Sequence, residues 1–230
     1  MFSKWITLSI QFTINFADQQ FEMTMYVPAL FRFTDFEEQL NFMQKYSFAT
    51  VLNYNGERIV GSHLPLVATN EGDEMVLLGH LAKSNEQAGL QNGADCLVVF
   101  SGPHAYISPR YYDKAESVPT WDYIAVHAYG TFTIEVDKKM AIMEQTICYF
   151  EEEYMVQWES LPTAYKEKMM DHIVVFSIRV HRIEGQKKLS QNKKPEEIER
   201  MKRNFADGAD PYAQDLAQYL MTRGSENFYR

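Results

Sequence analysis

Lys83, Ser84 and Asn85 follow the apolar run "EMVLLGHLA", so a cation, a hydroxyl and an amide stand together where a strand hands over to what reads as a helix start. Backbone N–H groups left free at such a junction, with a lysine point charge beside them, form a donor set for a phosphate. A solvated lysine is the plain alternative, because lysine side chains mostly face water. His63, His80, His104 and His127 all fall in strand-like runs. Their spacing is not that of a metal centre and no carboxylate is patterned beside them, so they read as hydrogen-bonding or core residues. GxGxxG, the P-loop, GxSxG and HExxH are absent, which removes support for dinucleotide binding, nucleotide hydrolysis, serine hydrolysis and zincin chemistry.

The elements that must position these residues are mostly short strands. "FATVLNY" and "ERIVGSHLPLVA" flank Asn55-Gly56, the dipeptide that favours a two-residue hairpin turn. "EMVLLGHLA" follows across Asn70-Glu71-Gly72, predicting a three-stranded antiparallel meander, and "DCLVVFSG", "HAYIS" and "YIAVHAYGTFTIEV" read as three further strands. Ahead of them, Thr34 with Glu37 reads as a capping box for a helix carrying Phe36, Leu40, Met43 and Tyr46 at helical spacing. Met140, Met143, Ile147, Phe150 and Tyr154 predict one helix packed on the sheet, "HIVVFSIRVHRIEG" a closing strand, and "PEEIERMKRNF" a helix opened by Pro195 with Glu196 and Glu197 at its positive end. The fold class is therefore mainly β with flanking helices, closed as a small barrel.

The chain has 230 residues, 46% of them apolar, and a net charge of −9. That length and composition can bury one sizeable core, and the acidity argues against a broadly basic nucleic-acid surface or a polybasic membrane anchor. Between Arg179 and Arg203, about nine Lys or Arg stand against four acidic residues, the one stretch where a duplex could be met. Two cysteines, Cys96 and Cys148, without CxxC spacing exclude a disulfide framework and fit a reducing cytoplasm. "MFSKWITLSIQFTINF" is interrupted by Gln11, Thr13 and Asn15 and too polar to span a bilayer, so residues 1–24 read as an extension before Met25.

"YVPALF", "SHLPL", "GHLAKSN", "GPHAYISPRYY", "VPTWDYIAVHAYG" and "KLSQN", in this order from Tyr26 to Asn192, resemble the PaiB family of FMN-binding split-barrel proteins, named as negative transcriptional regulators. One departure stands out: the family continues its lysine motif with Asn-Pro-Gln-Trp, whereas this chain reads Asn85-Glu86-Gln87-Ala88. The resemblance implies a homodimeric split β-barrel with FMN between subunits. On that basis Ser62, His63 and Leu64 run beside the isoalloxazine, and Gly79, His80, Lys83, Ser84 and Asn85 serve the phosphate end. His104, Tyr106 and Trp121 of the second subunit enclose the ring, while Lys188, Gln191 and Asn192 complete the site.

The expected organisation is an extension over 1–24, the FMN-binding domain over 25–192 and a helical tail over 193–230. The expected function is that of a cytoplasmic FMN-binding transcriptional regulator. A flavin-dependent oxidoreductase or a haem-handling enzyme on the same barrel is the alternative, because a flavin carries its own redox chemistry and needs no visible catalytic side chain.

Overall fold

Alternating burial runs through the first long strand, Phe48–Tyr54 (β2), where Ala49, Val51 and Asn53 point inward and their neighbours outward. The computed structural model describes residues 25–72 and 74–222; the extension assigned to residues 1–24 lies outside them. A short strand Arg32–Phe33 (β1) and a helix Phe36–Lys45 (α1) precede β2. The α1 cap is Asp35, not Thr34: its carboxylate accepts the Glu38 N–H at 2.8 Å, and a carboxylate is favoured at the positive helix end.

Ile59–Pro65 (β3), Val67–Glu71 (β4) and Glu74–Ala82 (β5) follow. The hairpin between β2 and β3 is not a two-residue turn. Its loop runs from Asn55 to Arg58, and the Asn55 side chain accepts the N–H groups of Glu57 and Arg58 at 3.0 and 2.9 Å. The meander is also broken. Leu66, fully buried, separates β3 from β4, and among the described residues β3 pairs with β2 alone and β4 with β5 alone.

Ala94–Ile107 (β6), Thr120–Ile134 (β7) and Ile173–Lys188 (β8) complete the antiparallel sheet in the order β3-β2-β6-β7-β8-β5-β4, with β1 on β8. "HAYIS" is not a separate strand; it continues β6 through an irregularity between Ser101 and His104. Inside the curl, Phe100, Phe132 and Phe176 are completely buried, the last two stacked at 4.9 Å. Each such side chain contributes about 1.5–3 kcal/mol of transfer free energy.

The helix expected from Asp137 through Tyr154 is divided into Lys139–Glu151 (α2) and Tyr154–Ser160 (α3), followed by Thr163–Met170 (α4). Ile142 and Met170 from these helices pack with Val67, Val76, Leu78 and Val175. Pro195–Ala206 (α5) opens on its proline as expected, with the Glu197 carboxylate accepting the Lys194 N–H at 3.0 Å, and Pro211–Thr222 (α6) follows. Ile198, Met201, Phe205, Leu216 and Leu220 of α5 and α6 join the main core cluster. No helix among the described residues is long and apolar enough to cross a membrane.

Gly130 faces the β7–β8 irregularity, where Tyr129 pairs with Arg182 but Gly130 with Val180, leaving one extra residue on β8. A Cβ there would meet the Arg179 carbonyl oxygen at 2.6 Å and the Ile178 side chain at 2.6 Å. Only glycine lets the strands approach this closely.

Candidate functional site

Among the described residues β3 pairs on one side only, so alternate backbone N–H and C=O groups along "IVGSHLP" face no other described strand. Beyond Leu78, β5 is likewise free of β4. A four-residue 3-10 turn, Glu86–Gly89, bridges these two open edges. From just before it, the Asn85 amide donates to Ser62 Oγ at 2.9 Å; from within it, Gln87 Nε2 reaches the Val51 carbonyl at 3.1 Å and Asn53 Oδ1 at 2.6 Å. Glu86 pairs with Arg58 at 2.8 Å.

The predicted handover from strand to helix is thus a single turn. A turn this short has little dipole, and the Asn85 carboxamide already accepts the Gln87 N–H at 2.8 Å. What remains for an anion is side-chain chemistry: Lys83 and Ser84 are exposed, next to half-buried Ser62 and Asn85. His63 is exposed and stacks with Phe48 at 6.4 Å, and Leu64 is half-buried against the core. His80 is half-buried, which lowers its pKa by desolvation. Gly79 is packed beneath Leu66 and Phe176, where a Cβ would approach to 2.6 and 2.9 Å; its side-chain position belongs to the core.

The second group of predicted residues gathers at the far end of the sheet. Tyr106 pairs with Trp121 across β6 and β7, and their rings meet edge-on at 6.0 Å. Both are about half exposed, at 49% and 52%, so they are not core residues of the chain. His104 lies 6.1 Å from Trp121 and stacks on Tyr212 of α6 at 4.6 Å. Sequence reasoning missed Tyr212, whose only signal is an aromatic beside the helix-opening Pro211.

Lys188 donates to the Trp121 carbonyl at 2.8 Å and to the Thr120 hydroxyl, tying the end of β8 to the start of β7. Gln191 is engaged by its own turn: Oε1 accepts the Leu189 N–H at 2.8 Å and Nε2 donates to the Lys187 carbonyl at 2.5 Å. Its amide shapes "KLSQN", while Asn192 lines an adjacent cavity.

Asp122, also unnoticed in the sequence, is 2% exposed. Its Oδ2 accepts the Ser190 hydroxyl at 2.7 Å, while Oδ1 has no partner. Desolvation raises its pKa to about 6, against weaker downward pulls from Ser190, Lys188 and Lys193. A carboxyl raised by folding stabilises the native state fully below its ordinary value near 3.8, and that contribution is lost as pH rises through about 6. Asp122→Asn, neutral at every pH, is therefore expected to be more stable than the parent by about 3 kcal/mol above pH ~7, the gap closing below pH ~4. Urea melts of both proteins across that range check it; a gap that widens toward acid would refute the sign.

The two groups of predicted residues stand at opposite ends of β8. Lys83 N–H bonds the carbonyl of His172, just before the strand, at 2.8 Å, whereas Lys188 closes it. At ~3.3 Å per residue the strand's contour is about 50 Å.

The basic stretch from Arg179 to Arg203 is largely paired internally. Arg179 meets Glu74, Lys187 meets Glu38, Lys194 and Arg200 share Asp113, and Lys202 meets Glu199. Burial pushes Lys187 down to about 8. Among the described residues no cluster of three or more potential metal ligands is found.

Residues 25–182 match a family model described as "Putative FMN-binding domain". The chain is 35% identical over 201 residues to "Protease synthase and sporulation protein PAI 2" of Bacillus subtilis (strain 168), covering 85% of this chain and 96% of that one. It is 29% identical over 177 residues to the uncharacterized protein AN0679 of Emericella nidulans, covering 58% and 69%. Among solved structures, the FAD and haem binding protein from Mycobacterium smegmatis superimposes with a TM-score of 0.53 at 16% identity, covering 68% of this chain and 73% of that one. The flavocytochrome Anf3 from Azotobacter vinelandii gives 0.51 at 16% identity, covering 68% and 69%. At that identity the likeness concerns the fold.

Proposed function

Since the chain belongs to this FMN-binding family, with FMN as its cofactor, we propose that it acts as a PaiB-type homodimer with one FMN held at each of two sites between the subunits. The observation that carries the intersubunit reading is the separation of the two residue groups along β8. One copy offers an anion-binding end at Lys83 and Ser84 and an open β3 edge. The exposed aromatic faces of Tyr106 and Trp121 stand elsewhere, so a second copy supplies them.

The donor set fits a flavin mononucleotide. Lys83 and Ser84 hold the phosphate by a charge-assisted contact and a hydroxyl. Asn85, fixed on Ser62, orients that loop. Free N–H and C=O groups of β3, with His63, bond the polar edge of the ring system, and Trp121, Tyr106 and His104 of the other copy cover its face. Lys188 keeps the Trp121 backbone in place. When bound, FMN supplies redox chemistry that no side chain here provides.

Regulation of gene expression is the finer part of the proposal. It is supported by the PaiB motifs and by the 35% identity to the Bacillus subtilis protein. Direct duplex contact finds little support, because most cations of the Arg179–Arg203 stretch already face a carboxylate.

The test is oligomeric state and melting with FMN. A ligand seated between subunits binds only the assembled native form, so the dimer's thermal midpoint is expected to rise as FMN is added, by about 2.7 kcal/mol of stability at a hundredfold excess over Kd. Light scattering that shows a monomer at micromolar concentration with undiminished FMN affinity would remove the intersubunit site.

A further inference from the structure

The turn Glu86–Gly89 is fastened to the β2–β3 hairpin in two ways. One faces inward: Gln87, 2% exposed, donates from Nε2 to the Val51 carbonyl and to Asn53 Oδ1. The other faces outward, where Glu86 Oε2 accepts from the Arg58 guanidinium at 2.8 Å and Oε1 from the Asn55 amide at 2.6 Å. Both side chains of this ion pair are exposed, and an exposed pair adds little to stability. The buried Gln87 contacts account for how the turn is held, and the outer bridge is left to be explained.

On the hairpin side the bridge is well defined. Asn55 Oδ1 accepts the N–H groups of Glu57 and Arg58, the Asn55 N–H bonds the Arg58 carbonyl at 3.1 Å, and the Tyr54 hydroxyl donates to the Gly56 carbonyl at 2.8 Å. One side chain, Asn55, thus closes the loop through its oxygen and meets Glu86 through its nitrogen. The loop presents Asn55 and Arg58 to Glu86 together.

The place of the bridge along β3 suggests its use. Asn85 holds Ser62 at 2.9 Å, so the loop that carries Lys83 and Ser84 meets β3 at Ser62. His63 and Leu64 lie from there toward Pro65, whereas Arg58 lies the other way, four residues from Ser62 and ~13 Å along the strand. A flavin with its ring beside His63 and Leu64 and its phosphate at Lys83 therefore has its chain end directed at Arg58 and Glu86.

We propose that the Arg58–Glu86 bridge sets the specificity of the flavin site: it admits a flavin that ends in a phosphate monoester and turns away a flavin dinucleotide. The inference rests on the flavin reading above and deepens it by naming the flavin that is rejected. A monoester ends at Lys83 and Ser84, short of the bridge. A dinucleotide continues with a second phosphate and a nucleoside, which must part the bridge and set a phosphate beside the Glu86 carboxylate, a like-charge contact that opposes binding. Arg58 is a positioning residue: while it holds Glu86 across the gap, the pair offers a phosphate no net charge.

Isothermal titration calorimetry of the full chain with FMN, FAD and riboflavin tests this on the parent, Glu86→Ala and Arg58→Ala. The parent is expected to bind FMN about a hundredfold tighter than FAD. Glu86→Ala opens the gap and frees Arg58 for the second phosphate, so FAD is expected to tighten about tenfold or more while FMN changes by less than about threefold. Arg58→Ala leaves the carboxylate in place, and FAD is expected to stay as weak as with the parent. Riboflavin carries no phosphate and is expected to bind all three proteins alike, which reports that each variant is folded.

FAD that binds the parent as tightly as FMN overturns the proposal, and so does Glu86→Ala with an unchanged ratio of FMN to FAD affinity. FAD gained on Arg58→Ala alone overturns it too, because the Glu86 carboxylate is then not what repels the dinucleotide. Riboflavin that binds the parent as tightly as FMN removes the phosphate from Lys83 instead, and the FMN-to-FAD ratio in the same titrations still decides the bridge. A parent that binds none of the three overturns both.

Discussion

Lys83→Ala is expected to weaken FMN binding about ten- to a hundredfold while leaving the melting temperature of the apo-protein nearly unchanged. The lysine side chain is exposed and its backbone N–H, bonded to the His172 carbonyl, survives the substitution. What is lost is a charge-assisted contact to a phosphate, worth about 1.5–3 kcal/mol. Fluorescence quenching on FMN titration, beside thermal melting without FMN, separates the two quantities. Unchanged affinity would remove the phosphate assignment, and equal loss of affinity and stability would make Lys83 structural.

A larger effect on folding is expected at Gly130. Gly130→Val places a branched side chain where even a Cβ would lie 2.6 Å from a backbone carbonyl of β8. Backbone cannot swing aside as a side-chain tip can, so the β7–β8 ladder must part locally, at a cost of about 3 kcal/mol or more. The same ladder aligns Tyr123 with Lys188, next to Trp121. The variant should therefore lower the urea midpoint and also release FMN more readily than the parent at temperatures where both are folded. A midpoint within about 0.5 kcal/mol of the parent would show that the bulge on β8 absorbs the added volume.

The legible parts of this fold are those set by local chemistry. Alternation in "FATVLNY" and "YIAVHAYGTFTIEV" and Pro195 at a helix start lie within a few residues of what they determine, whereas of the expected Asn70-Glu71-Gly72 turn only Gly72 turns, Asn70 and Glu71 being paired in β4. Where two local signals competed, the structure chose by details that pattern does not carry. Asp35 displaced Thr34 as cap, and the Asn55 side chain turned a two-residue hairpin into a longer loop.

Leu66 shows a different limit. It sits inside a continuous apolar run, and only its complete burial between two separately paired strands marks the break. In the site, contiguous motifs brought Lys83, Ser84 and Trp121 forward. Asp122 and Ser190, 68 positions apart, meet only because β7 and β8 pair. No pattern in either segment announces a buried carboxyl with one free oxygen.

The unpaired side of β3 has a consequence for handling the protein. Phe48, Tyr54 and Ile59, 67%, 63% and 73% exposed, flank a row of backbone groups that can recruit any extended chain. The guards on that strand are few: Arg58 just ahead of it and Pro65 as its last residue. On the proposed reading, in which FMN lies along β3, protein stripped of cofactor carries an open template for intermolecular sheet growth. Turbidity after FMN removal should rise with protein concentration, and replacing Val60, the second residue of the edge strand, with lysine should suppress it by adding the like-charge repulsion that natural sheet edges use.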